Sequence, residues 1–184
     1  LLAEELVDFS RELSAQVARS ASGEIVAYPV VESRQENGVC ALVIAPAPNM
    51  DPTQANEAST IAVKVATQLD VVGMLAVELF ETNDGRILVN ELAMRPHNTG
   101  HWTIEGAATS QFENHLRAVL DLPLGGAEAR EDWAVMVNIL GGSATDLVVR
   151  RKVALAAESN VHVHLYGKEV KAGRKVGHVT ATGN

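Results

Sequence analysis

The chain has 184 residues, of which 47% are hydrophobic, 21% charged and only 4% aromatic. These proportions exclude an intrinsically disordered chain and require a core built on Val, Leu, Ile and Ala. Lys and Arg number 15 against 23 Asp and Glu, a net charge of −8. That balance excludes a general nucleic-acid binder but leaves room for a local basic pocket.

In chain order, residues 6–18 read as a strand with apolar alternation at Leu13, Ala15 and Val17. Ser20 to Gly23 is a turn, and Ile25 to Glu32 is the returning strand of a hairpin. A second turn over residues 35–38 leads into a strand from Val39 to Ile44, ended by Pro46, Pro48 and Pro52. Asp51-Pro52 has the form of a helix start, with Asp as N-cap and Pro at the first helical position. The helix runs to about Leu69, with Ile61, Val65 and Leu69 as its expected buried stripe. Strands Met74–Glu81 and Arg86–Leu92 flank the hairpin turn Asn83-Asp84-Gly85. Residues 95–106 read as an irregular polar loop and Ser110 to Leu120 as a helix. Residues 125–132 are the expected boundary between a first domain, 1–124, and a small β-rich domain, 125–184. The second domain holds strands over 134–140, 161–166 and 176–182 and a basic patch at Arg150, Arg151 and Lys152. The fold class is α+β with mostly antiparallel strands.

The single cysteine, Cys40, excludes an intrachain disulfide and lies in an apolar run, so it reads as a buried small side chain in a reducing compartment. The longest apolar candidate for a membrane span, Val71 to Phe80, is interrupted by Glu78 and falls well short of the ~20 residues a span needs.

The sharpest chemical feature is the hairpin around residues 83–85. If its loop is the two residues Asp84-Gly85, Glu78 and Glu91 stand directly opposite each other on one face. A three-residue loop pairs Glu78 with Asn90 instead. Facing carboxylates repel, and a divalent cation relieves them, with Asn90 and Asn98 able to add neutral oxygens. The alternative is a solvated sheet face. Next comes Arg95-Pro96-His97-Asn98-Thr99-Gly100-His101-Trp102-Thr103. Arg95 can hold a carboxylate or phosphate, and His97 can transfer a proton or donate to an oxyanion near neutral pH. A late segment carries Lys168, Lys171, Arg174 and Lys175 around Gly167 and Gly173, suited to clamping a phosphate or to forming a solvated hairpin. His162 and His164 share one strand face; no third ligand is evident, and they read as structural.

The hairpin together with Asn90-Glu91-Leu92-Ala93-Met94-Arg95-Pro96-His97-Asn98-Thr99-Gly100-His101-Trp102-Thr103 resembles the carboxyaminoimidazole ribonucleotide synthetase family of ATP-grasp enzymes. Ser110 to Ala118 and Gly173 to His178 fit the same family. Asn90, Asn98 and His101-Trp102 separate it from the formate-dependent glycinamide ribonucleotide transformylases, which remain the alternative, as does a non-catalytic ATP-grasp binding module. The resemblance implies a cytoplasmic, homodimeric ligase of purine synthesis that uses ATP, Mg2+ and bicarbonate on aminoimidazole ribonucleotide. It implies Glu78 and Glu91 as metal ligands, and Arg95, His97 and Lys175 as catalytic residues. Asn98, Lys168, Arg174 and Lys175 would bind substrate. Glu4, Glu5 and Leu6 would form the adenine hinge, Glu12 would hold the ribose, and Asn90 would lie at the nucleotide. It also implies that the residue by which the Glu78–Glu91 spacing exceeds the usual one enlarges the turn. The chain opens without Met, so these 184 residues are expected to be part of a longer protein and inactive alone.

Overall fold

The structure is a computed structural model that describes residues 1, 3–36, 38–143 and 146–184. The second expected turn includes residue 37 and to that extent lies outside the described residues. The chain builds one antiparallel sheet from β1 (Phe9–Arg19), β2 (Ile25–Ala27), β3 (Val31–Glu36), β4 (Val39–Ala45), β5 (Gly73–Thr82), β6 (Ile87–Ala93), β7 (Trp133–Leu140), β8 (Val161–Leu165) and β9 (Lys175–Gly183). Strand order is β6-β5-β1-β3-β4-β7-β9-β8, with β2 pairing β1 beside this path. The α+β expectation holds. Because β7 pairs along β4 from Leu42 opposite Val137 to Ala45 opposite Ala134, the C-terminal strands continue the same sheet.

The expected strand over 25–32 is broken. Residues 28–30 bend at Pro29, and β2 and β3 both pair with β1 on either side of the bend. Proline has no N–H to give to a ladder.

Helix α1 (Pro52–Gln68) starts as expected: the Asp51 side chain accepts from the backbone N–H of Thr53 at 2.8 Å, and Pro52 occupies the first turn. Its buried stripe differs from the expected one. Ala58, Ala62 and Ala66 are fully buried, Ile61 and Val65 pack beside them, and Leu69 is exposed. Both stripes obey the four-residue period; the small side chains win because they let the helix approach the sheet closely. They meet Leu13, Ala15 and Val17 of β1 and Leu75, Val77 and Leu79 of β5.

The other face is covered by the connection from β6 to β7. It holds a 3-10 turn (Asn98–Gly100), a short helix α2 (Thr103–Gly106) and helix α3 (Gln111–Val119), where an irregular loop was expected over 95–106. Ser110 caps α3 by accepting from the backbone N–H of Glu113 at 3.2 Å. Trp102 and Tyr28 are buried here with Val31, Val43, Met74 and Met136; Cys40 belongs to the same cluster, as its apolar setting predicted. A fourth helix, α4 (Leu147–Ala157), carries the basic patch of residues 150–152 and was not foreseen. None of its residues is buried, so no apolar period marks it. No helix is long and apolar enough to cross a membrane among the described residues.

Candidate active site

The hairpin sets the geometry of the site. Its loop is the three residues 83–85, with Gly85 at φ 83°, the left-handed conformation that closes such loops. Near the turn, Glu81 pairs with Ile87, Phe80 with Leu88 and Leu79 with Val89. That register alone would set Glu78 opposite Asn90. A β-bulge between Leu79 and Glu78 takes up Asn90, and beyond it Glu78 pairs with Glu91. The expected juxtaposition is therefore present, but the two-residue loop offered as its cause is wrong. The extra residue expected in the turn sits in the bulge.

Glu78 is half-buried and Glu91 exposed. Burial raises the Glu78 pKa, and the nearby charges of Glu91 and Glu12 raise it further, while Arg95 and Lys175 lower it. Glu12, on β1, is also raised, chiefly by burial. Three carboxylates thus crowd one end of the cleft, a charge distribution that a cation would relieve. Oxygens of Glu78 and Glu91 and a nitrogen of His97 lie within 4.8 Å of one another. Two carboxylates with open positions suit magnesium, which keeps waters and takes phosphate oxygens.

His97 is buried and held from behind. Its Nδ1 lies 2.9 Å from Thr99 Oγ1 and 3.4 Å from the Thr99 backbone N–H, and its Nε2 is 3.2 Å from Oε1 of Glu78. Thr99 Oγ1 accepts from Gln16 Nε2 at 2.9 Å and lies 2.8 Å from Ser14 Oγ. Gln111, fully buried, accepts from the His97 N–H and donates to the His97 carbonyl, both at 2.8 Å. Burial, then the charges of Arg95 and Lys175, push the His97 pKa down to about 4. The ring is then neutral at pH 7 and offers one N–H donor and one acceptor nitrogen.

A cleft of about 820 Å³ is lined by Glu12, Glu78, Asn90, Glu91, His97 and Asn98 together with Lys168, Arg174 and Lys175. Lys168 and Arg174 arrive on the loop between β8 and β9, and Lys175 opens β9. Gly173 turns it at φ 73°, and its N–H donates to the Gly141 carbonyl at 2.9 Å; the Gly141 N–H returns a bond to Arg174 at 2.7 Å. Asn98 Nδ2 is buried without a protein partner, an unused donor beside the cleft. Arg95 is exposed and does not line the cleft, although its charge reaches Glu78 and His97. Glu4, Glu5 and Leu6 are exposed; Glu5 and Leu6 line a separate hollow with Thr82, Asn83, Asp84 and Arg86. Sequence reasoning missed Ser14, Gln16, Thr99 and Gln111 as the supports of His97. Their one signal is a pair of polar residues alternating with Leu13, Ala15 and Val17 on β1.

Residues 1–112 match the ATP-grasp domain, and residues 134–184 match the phosphoribosylaminoimidazole carboxylase C-terminal domain. The chain belongs to the ATP-grasp family. It is 54% identical to the N5-carboxyaminoimidazole ribonucleotide synthase of Mycobacterium tuberculosis, an alignment that covers 100% of this chain and 44% of that protein. The synthase of Corynebacterium ammoniagenes is 52% identical over 100% of this chain and 46% of that protein. Among solved structures, the N5-carboxyaminoimidazole ribonucleotide synthetase of Thermus thermophilus superposes with a TM-score of 0.88 at 44% identity, over 97% of this chain and 48% of that one. The N5-carboxyaminoimidazole synthase of Aspergillus clavatus, solved with ADP and 5-aminoimidazole ribonucleotide, gives 0.89 at 40% identity, over 96% and 48%. The ATP-grasp chain thus spans about half the length of the relatives it matches.

Proposed function

We propose that this chain carries part of the active site of an ATP-dependent ligase that carboxylates aminoimidazole ribonucleotide with bicarbonate. The observation that supports it most is the cleft itself, which Glu12, Glu78 and Glu91 line together with Lys168, Arg174 and Lys175. In the reaction, a bicarbonate oxygen attacks the γ-phosphorus of ATP and ADP leaves. The exocyclic amine then attacks the carbonyl carbon of the resulting carboxyphosphate, phosphate departs and the amine gives up a proton.

Glu78 and Glu91 are the residues we assign to hold magnesium, which when bound would offset the negative charge of the phosphates. Arg95 and Lys175 offer positive charge to the transferring phosphoryl group and the developing carboxylate. His97, neutral and fixed by Thr99 and Gln111, donates from Nε2 and keeps Glu78 aimed. Asn98 Nδ2 is an unpaired donor for a substrate oxygen. Lys168 and Arg174 hold the ribonucleotide phosphate. Glu12 takes the ribose hydroxyls and Asn90 lies at the nucleotide, while Glu4 to Leu6 form the hinge against adenine. A cytoplasmic homodimer completes the reading, on the likeness to the synthases.

The test is ADP release, with bicarbonate and aminoimidazole ribonucleotide, by a protein of the relatives' full length that carries this chain. Glu91→Gln should lower the rate at least about tenfold, the equivalent of ~1.4 kcal/mol, with an unchanged melting temperature. A rate above a tenth of the parent's would remove Glu91 from the metal. Faster turnover with formate and glycinamide ribonucleotide would move the chain to the transformylases. The absence of any coupling of ATP loss to carboxylation would favour a binding module.

A further inference from the structure

A second cluster of imidazoles lies outside the carboxylate set. His162 is exposed, but His164 meets residues from two other elements: Glu105 of α2 and His178 of β9. One ligand atom from each of the three lies within 4.8 Å of the others. His164 Nε2 is 2.6 Å from Oε1 of Glu105. His178 is 2% exposed, and its ring is stacked between His164 at 4.6 Å and His101 at 5.0 Å. Its Nδ1 is 2.7 Å from the hydroxyl of Tyr166. Two buried atoms of the cluster, Nε2 of His178 and Oε2 of Glu105, have no partner among the described residues. Leaving a buried nitrogen and a buried carboxylate oxygen unpaired is costly, and each such atom calls for an occupant.

We propose that Glu105, His164 and His178 bind a zinc-class divalent ion that pins α2 to the β8–β9 hairpin, at the root of the loop bearing Lys168 and Arg174. Two imidazole nitrogens and one carboxylate oxygen are a borderline-soft donor set that suits zinc and disfavours magnesium. With bonds of ~2.0–2.1 Å in a tetrahedron, donor atoms sit about 3.4 Å apart. The ion therefore replaces the Glu105–His164 hydrogen bond after the two move apart by less than about 1 Å. A proton on His178 Nδ1, given to Tyr166, leaves the Nε2 lone pair for the metal; this is the supporting bond that ligating histidines usually make. Lys168 Nζ lies 5.2 Å over the Tyr166 ring, which ties the cluster to a residue of the cleft.

The proposal is tested on the intact chain carrying Glu78→Gln and Glu91→Gln, which disables the carboxylate cluster. Co2+ is titrated by its visible absorption, and Zn2+ is added in competition. One equivalent should bind with the intense bands of a tetrahedral nitrogen–oxygen site, and Zn2+ should displace it. His164→Ala should weaken binding at least about tenfold without lowering the metal-free melting temperature, and His162→Ala should leave it unchanged. If His164→Ala fails to fold, Glu105→Gln takes its place. If neither variant folds, Co2+ added to the parent must broaden the ring signals of His164 and His178 before any other. Absence of one-equivalent binding, equal affinity after His164 or Glu105 is replaced, loss on replacing His162, or broadening centred elsewhere would each overturn the site.

Discussion

Along β1 the odd residues Leu13, Ala15 and Val17 turn toward α1 and meet only apolar side chains, Ala58, Ala62 and Ala66 among them. The even residues Ser14 and Gln16 turn the other way and are just as buried, yet they hydrogen-bond to Thr99 and through it steady His97. One strand thus serves two purposes at a period of two. The apolar face gains from every atom removed from water and tolerates imprecise partners. The polar face gains little net energy from each bond and loses heavily when one is broken, but it fixes side chains in one orientation. That the site lies on the second face follows from this difference: positioning a histidine and two carboxylates takes directional bonds, and dispersion supplies none.

Acid should separate the faces most strongly. His101, half-buried, and His178, buried, have pKa values pushed down to about 4 and about 3, chiefly by desolvation and then by neighbouring imidazoles, with Lys175 also acting on His101. In the unfolded chain both return to ~6.5. The unfolded state therefore binds more protons between these values, and stability present above about pH 6.5 is lost as pH falls toward 4. Urea midpoints measured with chelator present should decline across that window, and His101→Gln should flatten the decline. A flat profile would mean the imidazoles are solvated.

The apolar face is best broken at Leu13, which is 1% exposed. Leu13→Ala should cost about 2–5 kcal/mol in urea unfolding while the KM values of the folded fraction stay unchanged. Thr99→Val is the matching change on the polar face. It keeps volume but removes the hydroxyl that accepts from Gln16 Nε2 and lies 2.9 Å from His97 Nδ1, and should cost about 1–3 kcal/mol. Its signature is a lower kcat with little change in KM for ATP, because His97 loses its fixed ring orientation. An equal loss in kcat from Leu13→Ala would dissolve the distinction between the faces.

These contrasts explain what could be read from the chain alone. Asp51-Pro52, Ser110 and the turn at Asn83-Asp84-Gly85 act on their own neighbours, so local chemistry exposes them. Glu78 and Glu91 lie across one hairpin, and spacing nearly sufficed; the bulge at Asn90 did not announce itself because nothing in an asparagine marks it. Thr99 meets Ser14 from 85 residues away, and His164 meets Glu105 from 59. No periodicity carries such a pairing. Helix α4 escaped notice because Val148, Val149, Val153 and Leu155 are exposed along it, and helices are legible mainly through the face they bury.

The bulge at Asn90 also separates two lengths that a plain hairpin would lock together. Without it, adding or removing one residue in the 83–85 turn would turn Glu91 to the opposite face of the sheet. With it, the strand has a place to absorb a slip between the turn and the carboxylates. The tip of this hairpin is therefore free to vary in length over descent, or to accept an inserted peptide, while the distance between Glu78 and Glu91 stays fixed.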